Sequence, residues 1–247
     1  MIKALFFLFL TCALCPAAIT RVQSKTGNTA GASGTTLAVT LDSTPTAGNI
    51  IVVAACYFGT SSTPGPGAAT LSATNVVWMM ASPAVQPGSQ CNVTLSVGRV
   101  FASPGSVVTL TFVSAGGAAM VAVEYSGASV TFDKFASAIG SSAAAASGAT
   151  ATTANANELF VGAIGSRGTN GVTFSAPTNS FSIVGQDKSS LNTSADRSVA
   201  FLERIVTSTG TPDAGATISA SNIWVSQVLT IEQAAAAGGA HSGTFGN

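Results

Sequence analysis

Asn92-Val93-Thr94-Leu95-Ser96-Val97 alternates polar and apolar side chains without a break. Successive side chains of an extended chain point to opposite faces, so this period of two predicts a β-strand with one apolar and one polar face. The pattern recurs on either side of it. Leu37, Val39 and Leu41 alternate with Thr36, Ala38, Thr40 and Asp42, and Val108, Leu110 and Phe112 alternate with Thr109 and Thr111. Near the end, Ile223, Val225, Leu229 and Ile231 form an apolar row opposite Ser226, Thr230 and Glu232. Helical periodicity is almost absent.

A second kind of strand is apolar on both faces: 50–58, 118–125 and 159–164. Such strands suit the middle of a sheet covered from both sides, or an edge that a partner covers. Turn signals separate the runs, among them Thr46-Ala47-Gly48-Asn49, Pro64-Gly65-Pro66-Gly67, Pro104-Gly105, Gly116-Gly117 and Thr211-Pro212-Asp213. Many short strands with turns at close intervals predict an all-β protein, a single antiparallel β-sandwich with a jelly-roll-like arrangement.

Composition bounds the surface. Hydrophobic residues make up 47% of the 247 and charged residues only 7%, against roughly 25% charged in an average soluble domain. Ser, Thr, Ala, Gly and Asn must therefore cover the outside. Nine basic side chains balance nine acidic ones, so little field exists to draw in nucleic acid, and little repulsion keeps copies apart.

The first residues read as a signal peptide spanning 1–17. Lys3 supplies a charge, and the run from Ala4 to Cys15 has the length of a signal h-region, too short to cross a bilayer. Cleavage after Ala17 would leave a sandwich domain over 18–233 and a flexible, low-complexity tail over 234–247. The mature chain would be exported, with no membrane span. It would keep Cys56 and Cys91, which an oxidising compartment would permit to form a disulfide; two buried thiols that never meet is the alternative. The stretch 141–153, nearly all Ala, Ser, Gly and Thr, is expected to be a surface loop entering a small-residue strand.

Catalytic chemistry finds few candidates. The one histidine, His241, lies in the tail, so neither a Ser-His-Asp nor a Cys-His site has a base within the fold. No zinc-type spacing and no run of calcium-binding carboxylates occurs, and neither a metal nor a cofactor is expected. Glu124 and Glu203 are in phase with apolar neighbours and would point inward. Paired, they would be a glycosidase candidate; the structural alternative gives each a cationic partner such as Arg99. Aromatic rings are the other resource. Trp224 lies on the Ser226/Thr230/Glu232 side of its strand, the expected wetter side, and with Tyr57 it is the candidate ligand-binding residue; Trp78 is expected in the core.

The stretches Thr46–Ala54, Val123-Glu124-Tyr125-Ser126-Gly127, Thr152–Gly162 and Trp224-Val225 resemble a family of poorly characterised bacterial and phage-associated extracellular β-sandwich domains. The resemblance runs over about residues 20–232. It implies a jelly-roll-like sandwich outside the cytoplasm, tied to surfaces, adhesion or virions, with no catalytic residues to carry over. Pro64–Gly67 and Cys91 depart from the pattern.

Two functions follow as expectations. One is a non-catalytic secreted or cell-surface module that binds a glycan or another surface ligand through loops and Trp224; it requires an exposed Trp224 in a shallow groove. The other is a self-assembling structural subunit of a filament, surface layer or virion; it requires apolar patches or open strand edges that copies of the chain would cover.

Overall fold

The computed structural model describes residues 17–59, 69–80, 84–86 and 91–236, with the backbone alone at 80 and 84–86. Most of the signal segment, the Pro64–Gly67 turn and His241 lie outside the described residues. Those described contain fifteen strands and no helix. In chain order they are β1 (Thr20–Asn28), β2 (Gly34–Thr40), β3 (Ile50–Phe58), β4 (Ala69–Ser72), β5 (Val76–Met80), β6 (Ala84–Gln86), β7 (Cys91–Val100) and β8 (Val107–Gly116). There follow β9 (Ala118–Ser126), β10 (Ala128–Ala146), β11 (Asn157–Arg167), β12 (Phe174–Ser175), β13 (Ser182–Lys188), β14 (Arg197–Thr207) and β15 (Gly215–Gln233).

Every pairing is antiparallel. The expected antiparallel sandwich forms, and it has three layers. The middle sheet runs β1-β9-β3-β7-β5, with β6 beside β7; a second runs β10-β15-β11-β14-β13, with β12 beside β15; a third, β2-β8-β4, has three strands.

The two-faced strands explain the layering. On β3, Ile50, Val52, Ala54 and Cys56 enter the core against the second sheet, while Ile51, Val53, Ala55 and Tyr57 enter the core against the third. Strand β9 divides its residues in the same way, Val121 and Val123 to one side and Met120 and Ala122 to the other. A strand buried on both faces has no use for alternation, so β3 and β9 read as continuous apolar runs. The one-faced strands β2 and β8 belong to the outer three-stranded sheet, where Leu37, Val39, Val108, Leu110 and Phe112 turn inward.

Alternation misleads at two places. On β7 the polar residues Asn92, Thr94 and Ser96 are buried as completely as Val93, Leu95 and Val97, and the Thr94 and Ser96 hydroxyls bond to each other at 3.0 Å. On β15, Ser226 and Thr230 are likewise buried, because a further apolar cluster of Phe160, Ile164, Phe174, Phe181 and Trp224 covers that side of the second sheet. The expected loop over 141–153 also differs: residues 141–146 are the last part of β10, a strand of 19 residues.

Two turns form as their glycines require. Asn49 N donates to Thr46 O at 3.1 Å across Gly48, whose φ is +93°; a side chain there would meet the left-handed penalty. Gly127, at φ +70°, ends β9, and a Cβ on it would lie 2.4 Å from Ala18 O.

Candidate functional site

Neither candidate ring is offered to solvent. Trp224 does lie on the Ser226/Thr230 side of β15, but only 7% of it is exposed. Its indole packs over Gly140 of β10, where an added Cβ would come within 2.3 Å of the ring, and Nε1 donates to Ser142 Oγ at 3.1 Å. Tyr57 is enclosed between the middle and third sheets, its ring 5.8 Å from that of Phe112, and its hydroxyl finds no hydrogen-bond partner among the described residues. Both rings are core residues. The expectation of an exposed aromatic platform is corrected here: period two reported which side of β15 Trp224 takes, but not that a second apolar layer covers that side.

Cys56 and Cys91 meet. They sit diagonally on paired strands, since Cys56 faces Val93 and Phe58 faces Cys91, and their sulfurs lie 3.8 Å apart, not joined in a disulfide, in the core between the middle and second sheets. Burial pushes the Cys56 thiol up, whereas the bond from Cys56 and then Arg197 pull Cys91 down. Arg197 is itself fully enclosed; Nη1 donates to Asp196 O at 2.6 Å and Ser194 O at 3.1 Å, and its guanidinium lies 4.9 Å from the Phe58 ring centroid.

Glu124 and Glu203 are separated by the middle sheet. Glu124 is on the side of β9 that carries Met120 and Ala122, toward the third sheet, whereas Glu203, on β14 of the second sheet, follows Val199 and Phe201 into the core on the other side of the middle sheet. Glu124 accepts from Asn49 Nδ2 at 2.6 Å, Gln23 Nε2 at 2.6 Å and Thr46 N at 2.8 Å. Glu203 accepts from Tyr125 Oη at 2.6 Å and from Arg21 at 3.3 Å. Each acid has structural partners, and no water or sugar can be held between them. Arg99, the partner expected from phase, is exposed on β7; β1, which supplies Gln23 and Arg21, takes its place.

A third acid escaped notice in the sequence. Glu158 is the second residue of β11 and is fully buried, with neither carboxyl oxygen completing a hydrogen bond among the described residues. It faces Glu232 in register, and Asp133 and Thr153 are its other polar neighbours. Burial, then the Asp133 charge, push its carboxyl up to about 7. Asp133 is held ionised by Lys134 and by Ala154 N. Glu158 stands directly before an apolar run, Leu159 to Ile164, which is the signal that places it indoors. Among the described residues no group of His, Cys, Asp and Glu is arranged to hold a metal ion.

The most exposed organised feature is an edge. Strand β10 ends the second sheet and, among the described residues, pairs with β15 alone. From Phe135 to Ala146 it carries no charge and no proline. Ala136, Ala138, Gly140 and Ser142 lean toward the Trp224 cluster, while Phe135 and Ile139 on the opposite face are 38% and 47% exposed. Of the other edges among the described residues, β1 carries Arg21 and Lys25, β13 carries Asp187 and Lys188, and β4 and β5 have four and five residues; β2 is uncharged over seven, but its apolar side chains Leu37 and Val39 are buried. Comparison of the chain with family models, with curated proteins and with solved structures finds no match in any of the three.

Proposed function

We propose that the chain is a structural subunit, exported and assembling with copies of itself into a filament, surface layer or virion component. The observation that carries this reading is the open β10 edge, uncharged from Phe135 to Ala146 and flanked by half-exposed Phe135 and Ile139. An unpaired edge presents a row of N–H and C=O groups that templates another strand, and proteins that stay monomeric usually break such edges with Lys, Pro or a bulge; on β10, Lys134 and the register shifts lie outside the stretch from Phe135 to Ser142, which has none of these. A net charge of zero leaves little repulsion to oppose contact between copies.

A glycan-binding module is the weaker reading, because the rings that would stack on a sugar, Trp224 and Tyr57, are both in the core. The purified chain, examined by light scattering beside a glycan array, separates the two. Ordered particles with an empty array support assembly; a monomer with a glycan hit overturns it in favour of adhesion.

A further inference from the structure

We propose that the occupant of the β10 edge is β10 of a second copy, paired antiparallel across a two-fold axis at Ser137. This deepens, and rests on, the assembly reading above. Ser137 lies in the stretch from Phe135 to Ser142 over which β10 keeps one register with β15, and an axis there opposes Phe135–Ile139 of the two copies; the register shifts between Phe132 and Phe135 and between Ser142 and Ala144 bound the seam. Residues directly opposite in an antiparallel pair share a face. The axis therefore sets Phe135 against the partner's Ile139, Ile139 against the partner's Phe135, and Ala136 against the partner's Ala138.

Neighbouring registers lose this match. An axis at Ile139 would oppose Phe135 to Ala143, and one at Lys134 would bring two ammonium groups together. With the axis at Ser137, Lys134 faces Gly140 and Asp133 faces Ser141, so no like charges meet. Both half-exposed apolar side chains of each copy are covered, and the free backbone groups of two edges satisfy each other. The result is an isologous contact that joins the second sheets of two copies into one. The pairing occupies β10 in both copies, so longer assemblies need a further contact elsewhere on the surface.

The test uses the full chain. Ser137→Cys treated with a short bismaleimide is expected to give a covalent dimer, while Thr40→Cys, on the outer face of the three-stranded sheet, stays monomeric under the same reagent. Ile139→Lys, a change at an exposed position checked for folding by circular dichroism, is expected to raise the concentration needed for dimerisation at least tenfold. If the wild-type chain self-associates but Ser137→Cys does not cross-link and Ile139→Lys changes nothing, the β10 seam is wrong while the assembly reading survives. If the wild-type chain stays monomeric at every concentration, both fall.

Discussion

Asn49 Nδ2 donates a hydrogen bond to Glu124 Oε1 at 2.6 Å, tying the turn before β3 to the far end of β9. The same oxygen accepts from Thr46 N, and the other accepts from Gln23 Nε2 on β1. Two motifs far apart in the chain, Thr46-Ala47-Gly48-Asn49 and Val123-Glu124-Tyr125-Ser126-Gly127, are thus one structural unit. Glu124→Ala leaves three donors without their acceptor in a nearly closed site, an expected loss of about 3 kcal/mol. Asn49→Ala removes one donor and is expected to cost about 1 kcal/mol. Urea unfolding of the two variants checks the order; equal and negligible losses would show the carboxylate is not a structural hub.

Glu158 makes stability depend on pH. Its folded carboxyl is raised from an ordinary 4.5 to about 7, so between those values the folded chain binds more protons than the unfolded one. Stability from this group is therefore complete below about pH 4.5 and is lost as pH rises through about 7. Glu158→Gln keeps the neutral shape and is expected to remove that slope, raising stability at pH 8 by about 1 kcal/mol. Thermal melts of both chains from pH 5 to pH 8 measure it, and parallel curves would refute the assignment.

The Cys56 and Cys91 sulfurs already touch, so oxidation requires only a small local movement. Treatment with oxidised glutathione is expected to join them, each thiol losing its hydrogen as the glutathione disulfide is reduced, which mass spectrometry of the intact chain reads directly. Closing a loop across a separation of 35 residues would stabilise the fold by about 3–4 kcal/mol in the chain-entropy picture. A Cys56→Ser chain should show no such gain.

Gly140 is the space in which Trp224 lies. A side chain on it would enter the indole ring, and Gly140→Val is expected to cost about 2–3 kcal/mol through overpacking. In a Trp78→Phe background the remaining indole should emit at short wavelength and resist acrylamide quenching. Ready quenching would mean that Trp224 is exposed after all.

Much of the fold was legible in local pattern. Strands β2 and β8 show the alternation of one-faced strands, β3 and β9 the continuous runs of two-faced ones, and Gly48 and Gly127 mark turns that only glycine takes without strain. The candidate site was legible only in part. The structural reading of Glu124 and Glu203 expected an arginine for each; Glu203 has Arg21, Glu124 is held by Asn49, Gln23 and Thr46 N instead, Arg99 bonds neither, and Trp224 is covered.

Side-chain alternation by itself determined that the chain folds as β-strands and which residues of a strand share a face. Tertiary structure alone decided how many layers stack, and so whether a polar face such as Thr94-Ser96 or an aromatic such as Trp224 meets water. The reason is geometric: a strand's period of two records the two sides of a sheet, whereas what lies against each side is set by segments distant in the chain, whose pairing leaves no periodic mark on the strand they cover.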